Sequence, residues 1–388
     1  MSEAVVHVEI FDTTLRDGAQ SLPQYNQFPD GSKSEIADQI ASLGVGVIEA
    51  GFPITSGEAE EVSGVAKVVG NTTYEVAYWE SGAQIGTKTV TPVIAGLSRT
   101  VPKDIEAAWE STQDAAYPRI HTFISTDAEH MENKFPGKTA DEVLEMGRQA
   151  VRQAKSLTSE HSGATVEFSA EAASTTNWDY LERVIKSAID EGADIVNLPD
   201  TVGQRNPFWM EKFYGRAISW AHQINPDVVV SAHNHNDLDM ATMNSLSLVT
   251  AAAKFAQREQ RQVNVQLEIA VCGLGERAGN ADVFPVVAGL FKFSEGMECD
   301  VQWRFNPGSS VRAANFVMGA AGLEVNRQSP IVGQDTNVHR SGIHSDGIIK
   351  GGFQIYTPYD PTFWGHARDA EHQEGKYQGK SGRSHITS

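Results

Sequence analysis

The chain has 388 residues, 40% of them apolar, with 31 basic against 50 acidic side chains and a formal net charge of −19. That length holds one large domain and a smaller one, and an acid excess without a basic stripe interleaved with aromatics argues against nucleic acid as a partner. The two cysteines, Cys272 and Cys299, make no disulfide framework, no apolar run nears the ~18 residues of a membrane span, and the start suits neither signal nor transit peptide, so the expectation is a cytoplasmic protein with free thiols and no membrane partner.

Short β-rich runs alternate with segments of helical spacing. A strand at 6–11 precedes a helix at 34–43, and a strand at 45–50 precedes a helix at 57–69. The stretch 70–91 is ambiguous, since 74–79 reads as an extra strand or as part of the third. Strands at 91–97, 119–125 and 165–170 are followed by helices at 103–112, 139–157 and 178–191. Strands at 194–198, 228–232 and 264–271 are followed by helices at 208–222, 238–256 and 281–293. From about 300 the rhythm stops, with a helical segment expected at 303–323 and a Gly-, His-, Ser- and Asp-rich stretch at 326–352. The expected organisation is a barrel domain over 1–299 and a smaller, mainly helical appended subdomain over 300–388.

Eight β–α units in series predict an α/β protein, a closed (β/α)8 TIM barrel, whose chemistry sits at the C-terminal strand ends. An open doubly wound sheet would need fewer strands and a dinucleotide glycine fingerprint after the first strand, which is absent. The polar clusters obey the barrel rule. Arg16-Asp17 follows strand one, Glu49 ends strand two, Glu171 follows strand five and Asp200-Thr201 follows strand six. Strand seven ends in His233-Asn234-His235, and strand eight runs into a Gly-rich stretch. On a strand, positions i and i+2 share a face, so the two imidazoles converge as a divalent-metal site requires. An isolated His-x-His is more often structural; the acids and arginine at neighbouring strand ends favour the metal. With an acidic chain overall, an anionic substrate needs such a local positive site.

Seven ordered stretches, FDTTLRDGAQ at 11–20, IEAGFP at 48–53, HTFIST at 121–126, VEFSAE at 166–171, NLPDTVG at 197–203, HNHND at 233–237 and GLGERAGNAD at 273–282, together resemble the 2-isopropylmalate synthases. The likeness lies within a wider group of homocitrate and citramalate synthases and hydroxymethylglutaryl-CoA lyases. It continues in IVG at 331–333, SGIHSDG at 341–347 and GKSGR at 379–383. The resemblance implies a Claisen-type condensation in which acetyl-CoA supplies a carbanion to the ketone of 2-oxoisovalerate, followed by thioester hydrolysis. It also implies a homodimer.

A 2-oxo acid can chelate a divalent ion acting as a Lewis acid. Asp17, His233 and His235 supply one carboxylate and two imidazoles, and the resemblance adds Asn280, a turn residue on the plainer reading. Mixed N/O ligation tilts the ion toward zinc or manganese over magnesium. Arg16 is expected to support the keto oxygen with a permanent charge. Thr201 is expected to bind the oxo-acid carboxylate or to cap the next helix, and Glu49 to orient Arg16 or a ligand. His121 joins the substrate-binding set through the resemblance. Candidates for moving the acetyl proton are Glu171, Glu167, His344 and Tyr356. By resemblance His344 reaches over the barrel mouth from the appended region, even from a partner subunit.

Related lyases carry a catalytic cysteine in the Gly-rich loop; here GLGERAGN has none, and Cys272 before it reads as a buried, inert thiol. Relatives usually have glutamate where Ala19 stands. Glu167 stands where homocitrate synthases carry a basic residue, which disfavours 2-oxoglutarate. Pyruvate stays open, because a methyl or two discriminates by only ~1–3 kcal/mol each. The chain stops at Ser388, where leucine-regulated members continue into an allosteric domain, so a catalytic portion without leucine feedback is expected. Two other classes compete: a metal-dependent barrel hydrolase, which would place its His-x-His after strand one, and an inert scaffold, which leaves so many charged strand-end groups unexplained.

Overall fold

The computed structural model describes residues 4–297, 299–367 and 371–372. Eight parallel strands form the barrel: β1 Val5–Asp12, β2 Val47–Gly51, β3 Val93–Arg99, β4 Pro118–Ser125, β5 Thr165–Glu171, β6 Ile195–Asp200, β7 Val229–Asn234 and β8 Gln262–Ile269. Neighbours pair in sequence order, and β8 returns to β1 in register from Val5↔Gln262 to Asp12↔Ile269, which closes the barrel. The connecting helices are α1 Lys33–Ala41, α2 Ser56–Val68, α3 Pro102–Thr112, α4 Ala140–Thr158, α5 Trp178–Asp190, α6 Pro207–Ile224, α7 Ala241–Glu259 and α8 Val283–Phe293.

Helix identity follows from caps and spacing. Thr139 and Glu142 form a reciprocal capping box on α4, whose buried Val143, Gly147, Ala150, Val151 and Ala154 recur every three or four residues. Asn177 caps α5, which buries Leu181, Val184, Ile185, Ala188 and Ile189. Each such large aliphatic contributes about 1.5–3 kcal/mol when fully buried. The main hydrophobic core therefore lies between strands and helices.

The ambiguous stretch is an antiparallel hairpin, Tyr74–Glu80 and Ala83–Val90, joined by Ser81 and Gly82, both at positive φ. It pairs with a further strand, Asp300–Arg304. The helix expected from 303 therefore begins later, at Ser310–Ala320. Val301 and Trp303 are buried while Gln302 and Arg304 are half-buried, a period of two that continues the sheet beside β1 at Val5↔Asp300 to Val8↔Trp303. The sheet thus runs across position 300. Phe291 of α8 packs against Trp303, Phe363 and Trp364 with ring centroids at 5.0, 5.3 and 5.8 Å, which fastens the segment C-terminal to position 300 to the barrel wall. The GKSGR stretch at 379–383 lies outside the described residues. No helix among the described residues is long and apolar enough to cross a membrane.

Candidate metal and substrate site at the barrel mouth

The first strand does not turn into an ordinary helix. The N–H groups of Arg16, Asp17 and Gly18 all donate to the Thr13 carbonyl, at 3.1, 2.9 and 3.2 Å, and Thr14–Gly18 is a π turn. Such wide turns occur at functional sites, and this one carries Arg16 and Asp17 to the barrel mouth. Lys33, buried at the start of α1, ties the turn to the second strand. Its Nζ donates to the carbonyls of Leu15 (3.1 Å) and Ala50 (3.0 Å) and to the Glu58 carboxylate, which uses all three of its protons.

Along 233–236 the side chains alternate as expected for extended chain. His233 and His235 face the cavity. Asn234 instead accepts from the Tyr214 hydroxyl (3.2 Å) and donates to Ser245 (3.1 Å), and Asn236 accepts from the Ala241 N–H (3.1 Å), fixing the start of α7. Ligand atoms of Asp17, His233 and His235 all lie within 4.8 Å of one another. The two Nε2 atoms are 3.3 Å apart. Burial first, with little relief from Asp17, pushes His233 down to about 4. His235 falls to about 3 through burial and its neighbour His233. Burial raises the Asp17 carboxyl, but Arg16 and the two imidazoles outweigh it and hold it below the ordinary value. Two neutral imidazoles and a carboxylate are the protonation states a metal needs.

Asn280 completes the set. Its Nδ2 donates to Asp17 Oδ2 at 2.6 Å and to the Leu274 carbonyl at 3.0 Å, while its Oδ1 is buried without a hydrogen-bond partner. An orphaned carboxamide oxygen beside this triad fits a divalent cation of mixed N/O ligation. The Gly-rich loop is shaped around it: a Cβ on Gly275 would lie 2.3 Å from Asn280 Nδ2 and 2.9 Å from Asp17 Oδ2. Gly275→Ala is expected to weaken Mn2+ binding at least ~10-fold, the scale of a disturbed ligand support. Titration of the ion-free protein followed by electron paramagnetic resonance checks this, and unchanged affinity would show that the loop yields without moving the ligands.

Behind Asp17 runs a line of charge. Arg16 Nε donates to Glu49 Oε2 at 2.6 Å and its Nη1 to Asp17 Oδ1 at 2.9 Å. Glu49, fully buried, also accepts from Thr13 Oγ1 (2.7 Å) and from His121 Nδ1 (2.7 Å). On the far side of the ring, Ser169 Oγ meets His121 Nε2 at 2.6 Å and accepts from Asn197 Nδ2 at 2.8 Å. Burial raises the Glu49 carboxyl, yet Arg16 and His121 overcome it and hold it far below the carboxylate range. Nε and one N–H of Nη1 are taken by Glu49 and Asp17, and Nη2 has no hydrogen bond to the described residues, which leaves N–H groups of Arg16 for a ligand.

These groups line a cavity of about 330 Å³ that includes Arg16, Asp17, His121, Ser169, Glu171, Thr201, His233 and His235. Phe52, Leu97, Phe123 and Pro199 give it an apolar wall. Thr201 Oγ1 accepts from the Ala172 N–H at 3.0 Å, which leaves its proton for a ligand. Glu171 stands at the rim with Lys134 Nζ 2.6 Å from its carboxylate and the Ser125 hydroxyl donating to it.

Three of the expected proton-transfer groups are elsewhere. Glu167 is wholly buried in mid-barrel, where it accepts from Arg119 Nη1 (2.9 Å) and Gln266 Nε2 (2.7 Å), and burial pushes it up to about 7. His344 and Tyr356 stack on each other at 4.0 Å between ring centroids, partly exposed, outside the cavity lining. Cys272 is largely buried and its thiol is raised well above the ordinary value by burial. Sequence reasoning missed Lys33, Ser169, Asn197, Glu268 and Arg277. Ser169 shares an inward face with Glu171, singled out two positions away on β5, and Glu268 shares one with the equally unflagged Gln266 on β8, so strict alternation along both strands is the signal that marks them. Arg277 clamps the mouth, donating to both Asp237 carboxylate oxygens and to the Thr201 carbonyl, each at 2.8 Å.

Residues 7–303 match the HMGL-like family. A 2-isopropylmalate synthase of Pyrococcus furiosus is 40% identical over 346 residues, which is 88% of this chain and 60% of that protein. One of Dictyoglomus turgidum is 37% identical over 96% of this chain and 65% of its own length. Methylthioalkylmalate synthase 1-1 of Eutrema japonicum is 38% identical over 91% of this chain and 64% of that protein. The chain thus spans about three-fifths of the length of these relatives. An HMG-CoA lyase from Brucella melitensis superimposes with a TM-score of 0.56 at 18% identity, covering 81% of this chain and 98% of that one, a likeness of fold alone.

Proposed function

The chain belongs to the HMGL-like family, and from that premise we propose that it condenses acetyl-CoA with 2-oxoisovalerate, as a 2-isopropylmalate synthase in leucine biosynthesis. The observation that carries the reading is the convergence of Asp17, His233 and His235 within 4.8 Å at the floor of a cavity that Arg16 also enters. The names of the relatives and the absence of cysteine from 273–280 favour a synthase over a lyase.

In this reading Asp17, His233, His235 and Asn280 hold a divalent cation, zinc or manganese by ligand type, which when bound supplies Lewis acidity toward the oxo acid. Thr201 donates its hydroxyl to the substrate carboxylate. Arg16 presents Nη2 to the keto oxygen, where negative charge develops as the new C–C bond forms. Glu49 and His121 keep that guanidinium fixed from behind. Glu171, set at the rim by Lys134 and Ser125, takes the proton from the acetyl methyl; the carbanion attacks the keto carbon as its C=O π bond breaks, and the resulting alkoxide is protonated to the hydroxyl by a proton equivalent to the one that Glu171 gives back to water. Water then cleaves the thioester, releasing the acid and the CoA thiol. Glu167 serves this scheme by bracing the barrel with Arg119. His344 and Tyr356 act on substrate only through a homodimer that brings the C-terminal segment over a neighbouring mouth. The barrel at 1–299 and the segment from 300 are proposed as catalytic and supporting parts of one cytoplasmic enzyme.

The test measures thiol release from acetyl-CoA with 2-oxoisovalerate, pyruvate, 2-oxoglutarate and a methylthioalkyl 2-oxo acid, before and after chelation. The expected result is a preference for 2-oxoisovalerate, lost with chelator and restored by Mn2+ or Zn2+. Release indifferent to chelator rejects the metal role, and a preference for pyruvate makes the chain a citramalate synthase.

A further inference from the structure

We propose that Glu268 is a positioning residue: its carboxylate holds His233 from behind, so that Nε2 faces Asp17 and His235. This deepens the metal reading and rests on it. The primary observation is register. Glu268 on β8 and His233 on β7 are paired positions in the β7–β8 ladder, both with side chains in the barrel. The contact is therefore set by the backbone rather than by a mobile loop. Glu268 Oε2 lies 3.0 Å from His233 Nδ1, within ion-pair distance but at an angle that makes no hydrogen bond, so each of these two buried atoms has no hydrogen-bond partner and the other as its near neighbour. A ring nitrogen presented to a cation through Nε2 carries its proton on Nδ1 and needs an acceptor there.

The carboxylate itself stands on a braced platform. Arg119 Nη1 donates to Gln266 Oε1 at 2.7 Å and to Glu167 Oε2 at 2.9 Å. Gln266 Nε2 donates to Glu167 Oε1 at 2.7 Å and to Ser231 Oγ at 3.0 Å, and Ser231 lies 3.5 Å from Glu268 Oε1. This hydrogen-bonded column fills a barrel centre that aliphatic layers fill in many barrels. It connects the mouth to the opposite cavity, which Arg119 and Gln266 line. Its cost in buried polar groups is offset if it fixes a ligand.

His235 is held differently. It sits past the strand, in a backbone bridge to Asn280, and its Nδ1 is buried without a partner. The two imidazoles thus have unequal support, and truncating Glu268 frees only one of them.

The experiment uses the full chain stripped of ions by chelation, in wild-type, Glu268→Gln and Glu268→Leu forms. Mn2+ is titrated and free ion is read by electron paramagnetic resonance, with circular dichroism to confirm folding. Glu268→Leu is expected to bind 10- to 100-fold more weakly, the span seen when such outer partners are removed. Glu268→Gln keeps an acceptor oxygen and near-native shape, and is expected to lose about three- to tenfold affinity. At saturating Mn2+ the Gln variant recovers its kcat, because a positioning group is bypassed once the ion is seated. Wild-type affinity in the Gln variant overturns the proposal, and this holds even if the Leu variant does not fold. A kcat that stays depressed at saturating Mn2+ also overturns it, in favour of direct action on substrate. Absence of binding by the wild type overturns the metal reading and this inference together, whereas normal wild-type binding with unaffected variants sinks the inference alone.

Discussion

Asp17→Ala is expected to abolish tight Mn2+ binding and to lower kcat/KM by ~1000-fold or more. A Lewis acid supplies several kcal/mol of charge stabilisation, and each ~1.4 kcal/mol is a factor of ten in rate. Asp17 is the one carboxylate among the three converging side chains, and it has two further duties. It accepts from Arg16 Nη1 at 2.9 Å and from Asn280 Nδ2 at 2.6 Å. Truncation therefore removes the converging carboxylate, leaves Arg16 with Glu49 as its ion-pair partner, and takes from the Asn280 amide one of its two acceptors. Asp17 is 5% exposed and lies within the π turn at the barrel mouth rather than in the helix–strand core, so the fold should survive. Steady-state thiol release beside an Mn2+ titration checks both effects. Near-normal turnover from a variant that binds no Mn2+ would mean that the chemistry proceeds without the cation.

How much of this was legible beforehand depends on what each signal measures. Short β-rich runs separated by helical spacing report strands covered on both faces, as in Val47–Gly51 and Ile195–Asp200, which are buried at every position, and all eight barrel strands give that signal. The hairpin does not: Ala83–Val90 is exposed along nearly its whole length, so no face of it carries an apolar pattern. Its turn, Ser81-Gly82, was the available clue. The strand at 300–304 is only five residues long, and the break that sets it off from the helix at Ser310 is Asn306-Pro307-Gly308. At the site, His-x-His, Arg16-Asp17 and Thr201 were readable since strand ends set their position. Glu167 and Glu171 look alike in sequence and share a strand face, but four residues of strand separate them by ~13 Å. One reaches the mouth and the other reaches Arg119. Glu268 belongs to a polar/apolar alternation, Gln262, Asn264, Gln266 and Glu268, that looks like a solvent face until the barrel closes and turns its upper positions inward. His344 and Tyr356 depend on how the C-terminal segment packs, which no local pattern encodes.

Glu49→Gln is expected to cost about 3–5 kcal/mol of stability, the scale for breaking a buried ion pair by removing one partner. Glu49 is fully buried and accepts three close hydrogen bonds, from Arg16 Nε at 2.6 Å and from Thr13 Oγ1 and His121 Nδ1 at 2.7 Å, with Arg16 carrying the charge. An amide of the same shape cannot accept at both ends, so one of Arg16 and His121 faces an NH2 group. The effect has a definite pH dependence. Glu49 is held below its ordinary value by Arg16 and His121 against the cost of burial, and a depressed carboxyl stabilises the fold above the unfolded value of ~4.3. That contribution disappears as pH falls through the folded value. Urea unfolding of both proteins should therefore show a gap of several kcal/mol at pH 7 that narrows on acidification below ~4. A gap under ~1 kcal/mol, or one that is flat with pH, would mean that the Arg16 charge is satisfied by Asp17 alone. Turnover should fall with stability, because Arg16 loses the anchor that aims Nη2 at the cavity, and a loss of ~100-fold matches removal of one oriented donor from a developing oxyanion.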